Sequence, residues 1–71
     1  MEAVSFKYKL VYFGNTICIK GKYFIESYEE EMIMIKCCDD MVGIEGENLV
    51  IKSLDANEIY LQGNIRNISL S

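Results

Sequence analysis

Between Glu58 and Ile65 the chain alternates residue by residue. Ile59, Leu61, Gly63 and Ile65 fall on one side, and Glu58, Tyr60, Gln62 and Asn64 on the other. Successive side chains of a strand point to opposite faces, so this pattern predicts a strand with one buried and one wet face. The same period of two runs through Phe6, Tyr8, Leu10 and Tyr12, through Ile17 and Ile19, and through Val42 and Ile44. A short apolar run, Tyr23-Phe24-Ile25, leads into Ser27-Tyr28. Turn residues punctuate these runs at Gly14-Asn15, Gly46-Glu47 and Ala56-Asn57, with Asp39-Asp40 read as a loop. Beyond Ile65 the next apolar residues are Ile68 and Leu70. A spacing of three reverses the parity, which predicts a bulge or bend near Arg66-Asn67.

Residues 27–41 carry two patterns at once. Ser27 with Glu30 fits a helix capping box, and Ile33, Met34, Cys37, Cys38 and Met41 fall at helical spacing. An internal echo favours strand instead. Ser27-Tyr28-Glu29 with Ile33 and Ile35 matches Ser53-Leu54-Asp55 with Ile59 and Leu61, and Ile19-Lys20-Gly21 matches Ile44-Glu45-Gly46. A strand-turn-strand unit used twice accounts for more residues than a lone helix, and the β-branched pair Ile33 and Ile35 agrees with it. The whole pattern predicts an all-β domain of about seven or eight short, mostly antiparallel strands, as a small sandwich or partly closed barrel. A stacked, solenoid-like sheet is the second architecture that regular short strands fit.

The run Gly46-Glu47-Asn48-Leu49-Val50-Ile51-Lys52-Ser53-Leu54, followed by Ile59 and then Leu61-Gln62-Gly63-Asn64-Ile65 and Ile68, resembles the YabP/YqfC family of sporulation proteins. That family shares a G-x-x-L-x-[IV]-x-x-[LM] run and, after a spacer, a strand ending in an apolar residue, x-G-x-I-x-x-[IL]. Gly14-Asn15 is similar to the family's first turn, so the likeness spans Leu10 to Leu70. It implies a non-enzymatic protein of endospore-forming bacteria that acts in the mother cell in spore envelope or cortex formation. It also implies pairing with a membrane protein made alongside it, and so a cytoplasmic protein brought to the membrane around the forespore. No site residue carries over, because Gly46, Leu49, Ile51, Leu54, Ile59, Gly63 and Ile65 all match as structural positions. The chain departs from the family in the Met- and Cys-rich stretch at residues 32–38 and in its short N-terminal lead. The YabP and YqfC branches both stay open, with YqfC preferred for its Gly14-Asn15 turn.

With 71 residues there is room for one domain, residues 1–71, whose core lies near the lower limit for standing alone. A hydrophobic fraction of 51% exceeds what so small an interior holds, so an oligomer or partner is expected. The net charge is −4 and Arg66 is the sole arginine, which argues against nucleic acid as a partner. No apolar run reaches the ~18 residues of a membrane span, and the N-terminus lacks the signal-peptide pattern, so a cytoplasmic location without membrane insertion is expected. Three cysteines without framework spacing read as reduced thiols.

The chain contains no histidine, which removes the usual general base and the commonest metal ligand. Glu29-Glu30-Glu31 beside a turn reads as a solvated face rather than an acid–base pair. Adjacent Cys37 and Cys38 face opposite sides of a strand, so they form no metal clamp; one is expected buried and the other half-exposed. Catalytic, metal and cofactor sites are therefore all expected to be absent. Aromatic residues carry the remaining functional reading, since seven of the chain's eight lie in its first 28 positions. Lys7, Tyr8 and Tyr12 on a first, edge strand and Tyr60 on the polar side of its strand are the candidate interface for a partner strand or a second copy. Two alternatives stand beside this one. One is a structural protein that assembles through edge strands, and the other is a small-ligand binder with a pocket between Tyr8, Tyr12 and Tyr28.

Overall fold

The computed structural model describes residues 8–71. Six strands form one sheet: β1 (Tyr8–Phe13), β2 (Thr16–Gly21), β3 (Phe24–Tyr28), β4 (Met32–Cys37), β5 (Asp40–Asp55) and β6 (Glu58–Leu70). The order is β1-β2-β6-β5-β4-β3, and every neighbouring pair is antiparallel. The domain is all-β, as the alternation predicts, but the described residues form six strands rather than seven or eight. The sheet is a single, unclosed layer that bends over its own core, so the expected sandwich or partly closed barrel is matched only in part. A solenoid order fails too, because β2 lies beside β6 and not beside β3.

The missing strand boundary is at Gly46, where a turn was expected. Gly46 instead lies inside the 16-residue β5, opposite Ile65 of β6. A Cβ there would sit 2.1 Å from the Asn64 carbonyl oxygen, so the glycine serves close approach of two strands and not a reversal of direction. Gly63 does the matching job on β6, at φ +155°, with Asn48 O and Leu49 Cα each 2.9 Å from the position of a Cβ. Around this contact the register slips three times, between Glu45 and Gly46, between Glu47 and Val50, and between Ile51 and Ser53. The first slip leaves Arg66 as the extra residue on β6, which is the bulge that the parity change at Arg66-Asn67 predicts. Bulges bend the strand that carries them, so the long β5–β6 hairpin turns a corner at its middle.

That corner organises the molecule. The tip half of the hairpin pairs with β2 through residues 58–62, while its other half pairs with β4 through residues 40–45. Two turns dock at the corner: Gly63 N–H donates to Asn15 O at 3.0 Å from one side, and Leu49 N–H donates to Glu30 O at 2.9 Å from the other. Ile17, Ile19, Ile33, Ile35, Val42, Ile44, Leu49, Ile59 and Leu61 meet in one buried cluster with Cys37. Side chains from β2, β4, β5 and β6 reach full burial together only because the two halves of the sheet face each other.

Residues 27–41 are strand, hairpin and strand, with Ile33 and Ile35 in the core. One half of the internal echo holds, since Ile59 and Leu61 occupy the equivalent core-facing positions on β6, but the other does not, because Gly21 ends β2 while Gly46 lies inside β5. The β4–β5 turn is Cys38-Asp39 rather than Asp39-Asp40, with Cys38 at φ 58° and Asp40 already paired with Cys37. Gly14-Asn15 and Ala56-Asn57 close two-residue hairpins as predicted.

Candidate interaction surface

The four residues singled out from sequence do not converge. Lys7 lies outside the described residues. Tyr8 and Tyr12 stand on β1 opposite Gly21 and Ile17, so they share the core-facing side of the sheet with Leu10. Tyr60 pairs with Cys18, which alternates with Ile17 and Ile19 and therefore lies on the opposite face of the sheet from them. Two interface tyrosines are thus on one face and the third is on the other.

Their environments differ as well. Tyr8 packs against the core and its hydroxyl donates to Asp40 Oδ2 at 2.8 Å. That hydrogen bond, helped by burial and by the Asp40 charge, pushes the Tyr8 pKa up to about 12. Tyr12 is 48% exposed. The Tyr60 hydroxyl donates to Glu58 Oε2 at 3.4 Å, on an oxygen that also lies 3.9 Å from Cys18 Sγ and 3.6 Å from Lys20 Nζ. Hydrogen bonding to Cys18, then the nearby charge of Glu58, raises the Tyr60 pKa. This node of Cys18, Lys20, Glu58 and Tyr60 comes from cross-strand register and was invisible in the sequence.

Tyr23, given no role from sequence, and Tyr28, read from sequence as part of a ligand pocket with Tyr8 and Tyr12, tie β3 to the second half of β5. Tyr23 Oη donates to Asp55 O, at 2.5 Å, and Ile51 N–H donates to Tyr28 Oη at 3.3 Å. Both hydroxyls occupy backbone groups of β5 beyond the point where β4 stops pairing with it, so they shield an otherwise open edge. A groove of about 430 Å³ opens elsewhere, lined by Glu29, Glu31, Met32, Glu45, Gly46, Glu47 and Arg66. Tyr8, Tyr12 and Tyr28 do not line it. Among the described residues no group of three or more His, Cys, Asp or Glu is arranged to hold a metal ion. Cys37 is buried and Cys38 half-exposed, and burial, with the neighbouring Cys38 and Asp40, raises the Cys37 thiol pKa.

Apolar and charged residues at the sheet's outer strands make up the rest of the surface. Phe13 at the end of β1 is 57% exposed and Phe24 at the start of β3 is 71% exposed. Lys9, Lys20 and Lys22 lie on β1, β2 and the residue after it, with no carboxylate between Tyr8 and Tyr23. Glu26, Glu29, Glu30 and Glu31 lie on β3 and its turn to β4, with no cation between Phe24 and Ile35. Among the described residues no helix is long and apolar enough to cross a membrane.

No curated relative and no solved structure matches this chain. The model of the YabP family matches residues 14–71, a span that runs from the first turn through the bent β5–β6 hairpin. Because that span covers most of the chain, the protein belongs to the YabP family.

Proposed function

We propose that this protein is a non-enzymatic component of spore formation that acts in the mother cell, in building the spore envelope or cortex, by binding a membrane partner protein. The observation that carries this reading is the YabP family match over residues 14–71. Exposed aromatic side chains on the outer strands support it. Tyr12 and Phe13 on β1 and Phe24 on β3 offer apolar contact area that the small core does not use. Binding would hold the chain at the membrane around the forespore.

The test is affinity purification of the tagged protein from sporulating cells in mild detergent, with companions identified by mass spectrometry. A stoichiometric membrane protein, lost when Tyr12 and Phe13 are changed to serine, is the expected result. Recovery of the chain without a membrane companion, equally from vegetative and sporulating cells, overturns it.

A further inference from the structure

We propose that copies of this chain join head to tail, the β1 edge of one copy laying against the β3 edge of the next. Among the described residues β1 and β3 are the outermost strands of the sheet, each paired on one side only, with β2 and β4 respectively. The two edges carry opposite charge. Lys9 lies on β1, with Lys20 and Lys22 close behind, whereas Glu26 lies on β3, with Glu29, Glu30 and Glu31 following it. Among the described residues, the ion pairs Lys20–Glu58 and Glu47–Arg66 involve neither Lys9 nor any of these four glutamates. Edge-to-edge addition of a strand supplies main-chain hydrogen bonds, while side chains select the partner.

One antiparallel register suits both edges. With Ile25 opposite Leu10 of the neighbouring copy, Phe24 falls opposite Val11 and Glu26 opposite Lys9. Parity is consistent across the junction. Ile25 pairs with the core residue Ile35 and Leu10 with the core residue Ile19, while Phe24 and Val11 both lie on the outer face, opposite Lys36 and Cys18. The β3–β4 register slips between Ile25 and Ser27, which leaves Glu26 with no opposite residue on β4. The reverse arrangements are poorer. β3 against β3, centred on the strand, sets Glu26 against Glu26, and like charges directly opposite are destabilising. A head-to-tail contact uses two different surfaces, so every open assembly keeps one of each free at its ends and grows as a filament unless it closes as a ring. This inference is independent of which protein the chain meets at a membrane.

Sedimentation velocity of the purified chain tests it. Wild type is expected to form species beyond the dimer as concentration rises, and to lose them at 1 M salt, where screening acts within about 3 Å. Lys9→Glu and Glu26→Lys are each expected to stay monomeric alone. Mixed together they are expected to regain higher species in which the two variants alternate, because the Lys9 edge of one meets the Glu26 edge of the other and the two charge-reversed edges also attract each other. The double variant Lys9→Glu/Glu26→Lys is expected to regain higher species. Circular dichroism on each variant separates loss of contact from loss of fold. A wild type that stays monomeric at every concentration overturns the proposal, as does a mixture of folded single variants that regains no higher species.

Discussion

Tyr8 Oη donates a hydrogen bond to Asp40 Oδ2 at 2.8 Å, joining the outermost strand β1 to the start of β5 across 32 positions of sequence. No backbone ladder links these two strands, since β1 pairs only with β2. The phenol therefore ties one half of the bent sheet to the other, and it does so with a charge-assisted bond of the stronger kind.

Removing that hydroxyl should matter in a way that depends on pH. Tyr8→Phe is expected to lose about 1–2 kcal/mol at neutral pH, the range for a hydrogen bond to a charged acceptor discounted for partial exposure. In the wild type the Tyr8 pKa is raised from 10.0 to about 12, so the folded state holds this proton more tightly than the unfolded chain. Its contribution is fully present below pH 10 and fades as pH rises through 12. Urea midpoints measured across that window should fall more steeply for wild type than for Tyr8→Phe. Parallel curves would show that the bond contributes nothing in solution.

Two glycines should respond very differently to alanine. At Gly46 the new Cβ would meet Asn64 O at 2.1 Å, a clash with backbone that no rotamer relieves. Gly46→Ala is expected to cost about 3 kcal/mol or more, or to prevent folding. At Gly14 nothing lies within 4 Å, but φ is +59°. Gly14→Ala should therefore cost only the left-handed strain, about 1–2 kcal/mol. Chemical denaturation of the two variants, side by side, checks the order.

Core and rim leucines and isoleucines should separate just as clearly. Ile59 is fully buried in the central cluster, so Ile59→Ala is expected to cost about 2–5 kcal/mol. Leu54 stands opposite it on β5 yet is 59% exposed. Leu54→Ala should stay within about 0.5 kcal/mol of wild type. Equal losses would mean that Leu54 is covered in solution.

Thiol accessibility gives a check on the turn at Cys38. Cys18 and Cys37 are buried and Cys38 is half-exposed. An aromatic disulfide reagent at neutral pH is expected to modify one thiol promptly in the native protein and all three after denaturation in urea. The Cys38→Ser variant should lose the prompt phase alone. Prompt reaction of two thiols would place Cys18 or Cys37 at the surface.

Period-two alternation was enough to read the strands, because each face of a strand is a local property of every second residue. Ile17, Ile19, Ile33, Ile35, Val42, Ile44, Ile59 and Leu61 were all on the buried side in sequence and are all buried in the structure. The bulge at Arg66 was readable for the same reason, as a break in that period. Gly46 was misread because a glycine that reverses the chain and one that admits a neighbouring strand look alike in one dimension. Its Asn64 contact belongs to a residue 18 positions away. The candidate interface failed to assemble on similar grounds. Tyr8, Tyr12 and Tyr60 all lie on strands, as read, but only the register between β1, β2 and β6 decides that Tyr60 faces away from the other two.

The sequence by itself determined the all-β character, the identity of the core residues, the positions of three hairpin turns to within a residue, and the family. These follow from side-chain chemistry at fixed local spacing. Only the tertiary structure decided that β5 runs unbroken through Gly46, that the sheet bends at the Gly46–Gly63 contact, and that basic and acidic edges end up at opposite ends of the strand order. Those features depend on which distant backbones approach one another, and that is set by the combined packing of four strands around one core rather than by any residue's own preference.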